Sequence, residues 1–421
     1  MIKKFNIISV IIILFSWYIV INQESKEAKL FDEFISTGDR FYNQEVYDEA
    51  IKNYKEALNI KDDNEIKEKI IMSMYNLEEY ENVFKYLNNE NFNEKFVKNM
   101  QRKILDRYYY NEDFKKLNQT IKKASEELRE EYSKKIFHQF KTYKQEYKKI
   151  NYLGSDNKLY IVSEDGEYYR LINDSSRYIS PQKEKKILGI DYPSFTFIEE
   201  NETKVMNESG DLISKLPYNN LYQLSSDLFV KKENGIYTYI DRTGIEKSGN
   251  YQKASNFKDG KSIVKNEIIQ ILNRNFSVDA ELEFEDFKTD ERNNAIFDEK
   301  VILKKDGKYY ICDILNKKTS SAYDDIDFSN GGLIAVKEDD LWGYIDREFN
   351  LVINPQYDKA NSFSAGIGVV KLKDDYIFIN ENNEKIYSSK NQILPFSVDG
   401  VSFIKNGEYW NMIKLVRYIN D

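Results

Sequence analysis

The stretch that decides the fold runs from Leu333 to Gly366, LIAVKEDDLWGYIDREFNLVINPQYDKANSFSAG. Short apolar runs (Leu333 to Val336, Leu341 to Ile345, Leu351 to Ile353) are separated by turn formers at Asp339-Asp340 and Asp346. Brief strands broken by Asp, Asn and Gly signal antiparallel hairpins. Working outward, the apolar residue of the first strand recurs at Val162, Phe197, Val230, Val264, Leu303, Val336, Val370 and Ile404, with spacings of 35, 33, 34, 39, 33, 34 and 34. Six residues after five of these anchors stands an aromatic, Tyr168, Tyr309, Trp342, Tyr376 or Trp410, and Tyr237 follows one residue late. Between anchor and aromatic lie Asp165-Gly166, Asn234-Gly235, Asp306-Gly307 and Asn406-Gly407, pairs that accept the positive φ of two-residue hairpins. A unit of three or four strands cannot bury a face alone, so the repeats must stack.

The quoted residues closely resemble the WG repeat, a bacterial repeat named for a Trp-Gly pair. Here Trp342-Gly343 is followed by Tyr344-Ile345-Asp346, Pro355-Gln356-Tyr357-Asp358 and Phe363-Ser364. Elsewhere Tyr309-Tyr310, Tyr376-Ile377 and Trp410-Asn411 stand in for the pair. The expected fold of residues 151–421 is a β-propeller-like array of about seven or eight repeats, because closure removes the exposed edges that a stack leaves at its ends. A β-solenoid is the alternative.

Residues 26–150 contain no Pro and one Gly, Gly38, with apolar and aromatic residues at three- and four-residue spacing, which reads as stacked helices. Residues 31–64 resemble a tetratricopeptide repeat, with Phe34, Gly38, Phe41, Ala50, Tyr54 and Ala57 at that family's large and small positions. A weaker echo follows 34 residues on, with Met72, Tyr75 and Phe84, and a third begins near Ile104. The last stretch, 115–149, holds eleven Lys or Arg against five Glu, either a docking patch for an anionic partner or a solvated face. A change of texture at Asn151 and the turn formers LGSDN (153–157) place a domain boundary there.

After Lys3 and Lys4, residues 5–21 (FNIISVIIILFSWYIVI) are almost wholly apolar. Seventeen residues at 1.5 Å each reach about 26 Å, the lower end of what crosses a hydrocarbon core of about 30 Å. No small-residue cleavage site follows, so the expectation is an uncleaved signal anchor with a cytoplasmic tip and an extracytoplasmic bulk. The expected fold class is thus multidomain, α plus all-β: residues 1–22 a transmembrane helix, 23–150 a tetratricopeptide-like α-hairpin stack, 151–421 the WG-repeat domain.

One His (His138) and one Cys (Cys312) exclude intrachain disulfides, His/Cys zinc clusters and any triad needing a second histidine. A net charge of -9 argues against sequence-independent nucleic-acid binding. No phosphate-cradling loop, dinucleotide fingerprint or H-E-x-x-H occurs, and no cofactor is expected. Carboxylates at Asp324, Asp325, Asp327, Asp339, Asp340, Asp374 and Asp375 could in principle serve a glycosidase, but most fall at turns, where Asp is expected for backbone reasons.

The 39-residue interval contains DAELEFEDFKTDERNNAIFDE (279–299), nine acids against two bases. Glu281, Glu283, Glu285 and Asp286 could be imagined around calcium, yet the alternation looks like the wet face of a strand and no EF-hand loop is present. Tyr168, Trp342, Tyr376 and Trp410 either line grooves for sugar or peptide or pack between repeats. The candidate binding surface is therefore Trp342, Tyr376, Trp410, Glu283, Glu285 and Asp286. Both resemblances imply binding of macromolecules. The functional expectation is a non-catalytic, membrane-anchored scaffold of a bacterial envelope that holds a protein partner. A wall-polysaccharide-binding module is the alternative, and a carboxylate hydrolase a distant one.

Overall fold

The computed structural model describes residues 2–89, 91–151, 158–180, 184, 186–191, 193–207, 209–329 and 331–419. The chain falls into two units, 1–137 and 138–419.

The first unit is helical: α1 (Ile2–Asn43), α2 (Tyr47–Ile60), α3 (Asn64–Asn76), α4 (Tyr80–Asn89), α5 (Glu94–Tyr110), α6 (Phe114–Ile121) and α7 (Glu126–Ile136). Gly38 on α1 meets the Tyr54 ring so closely that a Cβ there would lie 2.5 Å from its Cε1. Ala50 and Ala57 are fully buried beside that ring, and the Tyr54 hydroxyl donates to Asp39 (2.8 Å). Small residues thus set the helix spacing and one large ring fills it. The hairpin turns repeat: Glu45, Glu78 and Glu112 all take positive φ (61°, 60° and 55°). In each, the next N–H returns to a carbonyl five residues back: Val46 to Phe41, Glu79 to Met74, Asp113 to Tyr108.

The membrane-spanning expectation is corrected. Residues 5–21 lie within α1, and most of their side chains fall outside the described residues. That helix continues unbroken into a charged segment holding Glu24, Lys26, Glu27, Lys29, Asp32 and Glu33. Among the described residues no helix is long and apolar enough to cross a membrane. The transmembrane signal anchor, insertion through 5–21 and the single-pass, extracytoplasmic placement are therefore withdrawn.

The second unit is an eight-bladed β-propeller, its strands grouped into eight sheets. Blade 6 shows the plan: a short inner strand (Asp325–Ile326), the anchor strand (Ile334–Glu338), a middle strand (Leu341–Ile345) and an outer strand (Leu351–Tyr357), each antiparallel to the next. Two differences from the sequence expectation stand out. The domain linker at 153–157 lies outside the described residues, and Phe140–Tyr147 with the first two residues of Lys149–Asn151, counted with the helices, form strands. Phe140–Tyr147 pairs with Tyr409–Leu415 as the outer strand of blade 8, so the first strand of the unit closes its last blade.

Closure decides against a solenoid. Eight apolar clusters lie one at each interface between successive blades, including Tyr147, Tyr160, Val162, Val401, Phe403 and Met412 where blade 8 meets blade 1. The same seam carries hydrogen bonds between the hydroxyls of Tyr160 and Ser397 (2.8 Å) and of Tyr147 and Ser176 (2.5 Å). It also holds the buried pair Lys414–Asp174 (2.7 Å). All eight sequence anchors are core residues, none more than 6% exposed. In blade 3, however, the register position is taken by Lys231, which pairs with Leu221 and Thr238, and Val230 sits one residue off; this explains why Tyr237 follows late.

Candidate functional site

One face of the propeller carries the hairpins that join anchor to middle strands, and the expected site residues fall there. Trp342, Tyr376 and Trp410 each follow such a hairpin and pair across it with Lys337, Lys371 and Lys405. Tyr309 and Tyr237 pair likewise with Lys304 and Lys232. The lysine ammonium lies over the ring in four blades: 5.2 Å from the Tyr237 centroid, 5.5 Å for Tyr309, and 5.8 Å for Tyr376 and Trp410. These distances are in cation–π range. In blade 1 the hairpin is longer: Tyr169, bridged to Glu184, takes the aromatic position, and Tyr168 is left exposed.

Each ring has two environments. Trp342, Tyr376 and Trp410 are half-buried, packed on the clusters shared with blades 7, 8 and 1 respectively. What remains outside is an aromatic edge, beside an ammonium at Tyr376 and Trp410, while Lys337 next to Trp342 turns its ammonium to Asp340; such edges are able to stack on a partner.

The acidic candidates separate. The Glu285 carboxylate accepts the backbone N–H of Asp306 (3.2 Å), at the hairpin of its own blade. Asp324 accepts that of Asp339 (3.0 Å), and Asp358 that of Lys373, so a carboxylate after the aromatic of each Tyr-Asp or Phe-Glu pair caps a turn in blades 5, 6 and 7. A hydrogen bond from Lys308 holds Asp324 below the usual carboxylate range. Asp286 pairs with Lys253 of the preceding blade (3.0 Å). Glu283 is exposed, and Glu281 accepts from Gln270 (2.9 Å). No group of three or more His, Cys, Asp or Glu among the described residues is placed to hold a metal ion. Turn capping and blade pairing therefore explain Glu285 and Asp286, a role that their spacing in the sequence did not separate from binding.

The carboxylates considered for hydrolysis are similarly engaged. Asp325 pairs with Lys288 (2.6 Å), Asp340 with Lys337 (2.9 Å) and Asp375 with Lys390 (3.0 Å). Asp327 accepts the Ser362 N–H (2.8 Å), and burial raises its pKa. Cys312 is buried, which pushes its thiol upward, and burial followed by the nearby Arg417 charge lowers His138.

The second turn of each repeat carries a feature that sequence reading caught only in outline. At the end of the middle strand, as its last residue or the one just after it, stands Asn173, Asn207, Asp241, Asn273, Asp346 or Asn380, and its Oδ1 accepts the N–H groups two and four residues on. A hydrogen bond from Lys247 holds Asp241 well below its ordinary range. For Asp346, partial burial is outweighed by hydrogen bonds from Asn350 and Glu348, so its pKa is also lowered.

The Trp-Gly pair has a geometric cause. Trp342 pairs with Tyr357 and Tyr344 with Ile353, so Gly343 alone faces the bulge Asn354-Pro355-Gln356. A Cβ on Gly343 would lie 2.4 Å from the Ile353 carbonyl oxygen and 2.7 Å from the Pro355 nitrogen. In blade 3 the arrangement is mirrored: Thr238 occupies the glycine position and faces Gly249, whose Cβ would meet the Thr238 methyl at 2.7 Å. In blade 7 Ile377 pairs directly with Ser388, so this position has neither bulge nor glycine, and the register shift of that strand pair falls between Phe378 and Ile379.

None of the curated proteins matches the chain. Among solved structures it is similar to BamB from Moraxella catarrhalis (9% identity, 66% of this chain and 98% of that chain covered, TM-score 0.44). It is also similar to the WD40 domain of SCAP from fission yeast (10%, 67% and 99%, TM-score 0.39). A further similarity is to the dihydro-heme d1 dehydrogenase NirN (8%, 60% and 69%, TM-score 0.40). Residues 321–342 and 342–376, the segments that meet at Trp342, match the family described as WG containing repeat.

Proposed function

We propose that the chain is a non-catalytic protein-interaction scaffold whose propeller receives a protein partner on the face bearing Trp342, Tyr376 and Trp410. The observation that carries this reading is the recurrence of a half-buried aromatic beside a lysine at one register position of three successive blades. Aromatic edges framed by charge are the usual composition of protein-binding hot spots. Glu283 is an exposed acidic candidate adjoining the same face. The helical unit, whose hairpin turns recur in tetratricopeptide-like fashion at Glu45, Glu78 and Glu112, adds a second repeat surface.

The test is capture of partners by the immobilised full chain, followed by crosslinking to locate the contact, beside the triple variant Lys337→Glu, Lys371→Glu, Lys405→Glu. These lysines lie on the outside of the rings, so the variant keeps the core. Crosslinks to this face from a protein lost with the triple variant are expected. Retention of wall polysaccharide instead, with no protein, would transfer the face to glycan binding. Turnover of such a polymer by the purified chain would overturn the non-catalytic reading.

A further inference from the structure

A groove of about 440 Å³ runs along the surface of the helical unit between α2 and α4. This is within the size range of ligand sites, about 300–1,000 Å³. Its two walls are built alike. On α2 the lining residues are Asp48, Ile51 and Lys55; on α4 and the residue before it they are Glu79, Asn82 and Tyr86, with Lys85 beside the last. Both sets follow i, i+3, i+7 spacing, which puts each on one helix face, and they are offset by 31 residues throughout. Because α2 and α4 each run antiparallel to α3 between them, they point the same way, and like ends of the groove meet.

One end is therefore acidic, with Asp48 opposite Glu79, and the other basic, with Lys55 beside Lys85. Ile51 and the buried Met74 form an apolar floor between them. Asp48, Lys55 and Lys85 make no ion pair among the described residues, although lysines and acids elsewhere in this unit pair freely, as Lys52–Glu49, Lys69–Asp39 and Arg102–Glu131 do. From Asp48 to Lys55 is seven residues of helix, about 10 Å. An extended chain of polyproline II form covers that distance in three residues, at about 3.1 Å each, and its three-residue turn brings side chains three apart back to one face.

We infer that this groove binds an extended protein segment carrying a basic and an acidic side chain three residues apart with an apolar residue between them. The base lies over Asp48 and Glu79, the acid over Lys55 and Lys85, and the apolar side chain on Ile51 and Met74. Charge complementarity at both ends specifies the occupant, and the apolar floor supplies the contact area. The site is separate from the propeller face and stands or falls independently of it.

The probe is a blocked, fluorescent hexapeptide, Gly-Arg-Leu-Ala-Glu-Gly, titrated with the full chain and followed by anisotropy. A control carries Glu in place of Arg. Saturable binding of the first peptide is expected, weakened about tenfold or more by Lys55→Glu with Lys85→Glu and by the control substitution. Both lysines are exposed, so the variant folds, which an unchanged melting curve verifies. Binding should be untouched by Lys337→Glu, Lys371→Glu, Lys405→Glu, which separates this site from the propeller. No saturable binding below millimolar peptide, binding indifferent to the double variant, or displacement of the peptide by inorganic phosphate alone would each overturn the proposal.

Discussion

Replacing Gly343 by Ala tests the physical meaning of the Trp-Gly pair. The added Cβ would approach the Ile353 oxygen to 2.4 Å, the Pro355 nitrogen to 2.7 Å and the Asn354 carbonyl carbon to 2.9 Å. All three are backbone atoms, so no side-chain rotation relieves the contact. An ordinary van der Waals distance starts at 3.4 Å, so the bulge must retreat by about 1 Å while Pro355 holds its own φ fixed. Overpacking of this kind costs about 1–3 kcal/mol, and the rigid obstacle puts Gly343→Ala near the upper figure. For a domain of this size each kcal/mol lowers Tm by about 2–4 °C, so a loss of roughly 6–12 °C is expected.

Gly307→Ala is the informative comparison. Gly307 sits at φ +76° in an Asp-Gly hairpin, with nothing within 4 Å of its would-be Cβ. Its substitution carries only the left-handed backbone penalty, about 1–2 kcal/mol. Thermal unfolding monitored by tryptophan emission suits the test, since two of the three tryptophans, Trp342 and Trp410, belong to the propeller. An equal or smaller loss for Gly343→Ala than for Gly307→Ala would refute the argument that the pair exists to face a bulge. The mirrored site adds a cycle. Gly249→Ala should destabilise through the Thr238 methyl, and the Thr238→Gly background should recover about 1 kcal/mol of that loss.

Three further outcomes follow from the geometry. Tyr147→Ala, which empties a fully buried site in the closing strand and removes the bond to Ser176, should cost about 3–5 kcal/mol in urea unfolding and open the ring at blade 8 before the others, as read by hydrogen exchange of residues 401–415. Lys414→Ala leaves the buried Asp174 carboxylate with only the longer Lys158 pair (3.9 Å) and should destabilise by about 3 kcal/mol, whereas Lys414→Met with Asp174→Leu should fall much nearer the parent in the same assay. Asp241 and Asp346 have folded pKa values below their unfolded ones, so their contribution is present above about pH 4 and is lost as pH falls through the folded values; Asp241→Asn with Asp346→Asn should flatten the acid limb of a Tm-against-pH curve.

The last of these also shows what was legible in the sequence. Asn stands at the Asp346 position in blades 1, 2, 4 and 7, so the turn needs an acceptor oxygen and not a charge, and residue identity hides the repeat while geometry keeps it. The anchor spacing could be read because a core position between blades accepts any apolar residue but requires one every 34 or so. It failed at Val230 because Lys231 takes the core-facing register and keeps its ammonium over the Tyr218 ring, 5.2 Å away, with Glu233 at 3.1 Å. The closing strand is hidden in the sequence for a different reason. An outer strand is mostly exposed, and FKTYKQEY has the Lys and Gln content of a helix; only Tyr147 is buried, and the partner strand lies some 266 residues away, so nothing local marks it.

The candidate site divides along the same line between local and distant causes. That Trp342, Tyr376 and Trp410 share one face follows from their fixed phase behind a hairpin, which is a local property. That Glu285 caps the turn at Asp306, and that Asp286 holds Lys253, depend on strands 21 and 33 residues away, so an acidic run whose alternation reads as the wet face of a strand resolves into separate structural duties. Gly343 joins the two kinds of cause. The glycine is visible in the sequence, but its necessity comes from a bulge on the neighbouring strand. Blades whose bulge lies elsewhere, like blade 7, or that carry the small residue on the other side, like blade 3, have no reason to keep the pair. The Trp-Gly signature is thus a property of one strand pairing and not of the blade, and a propeller can lose it in seven blades of eight while retaining every interface.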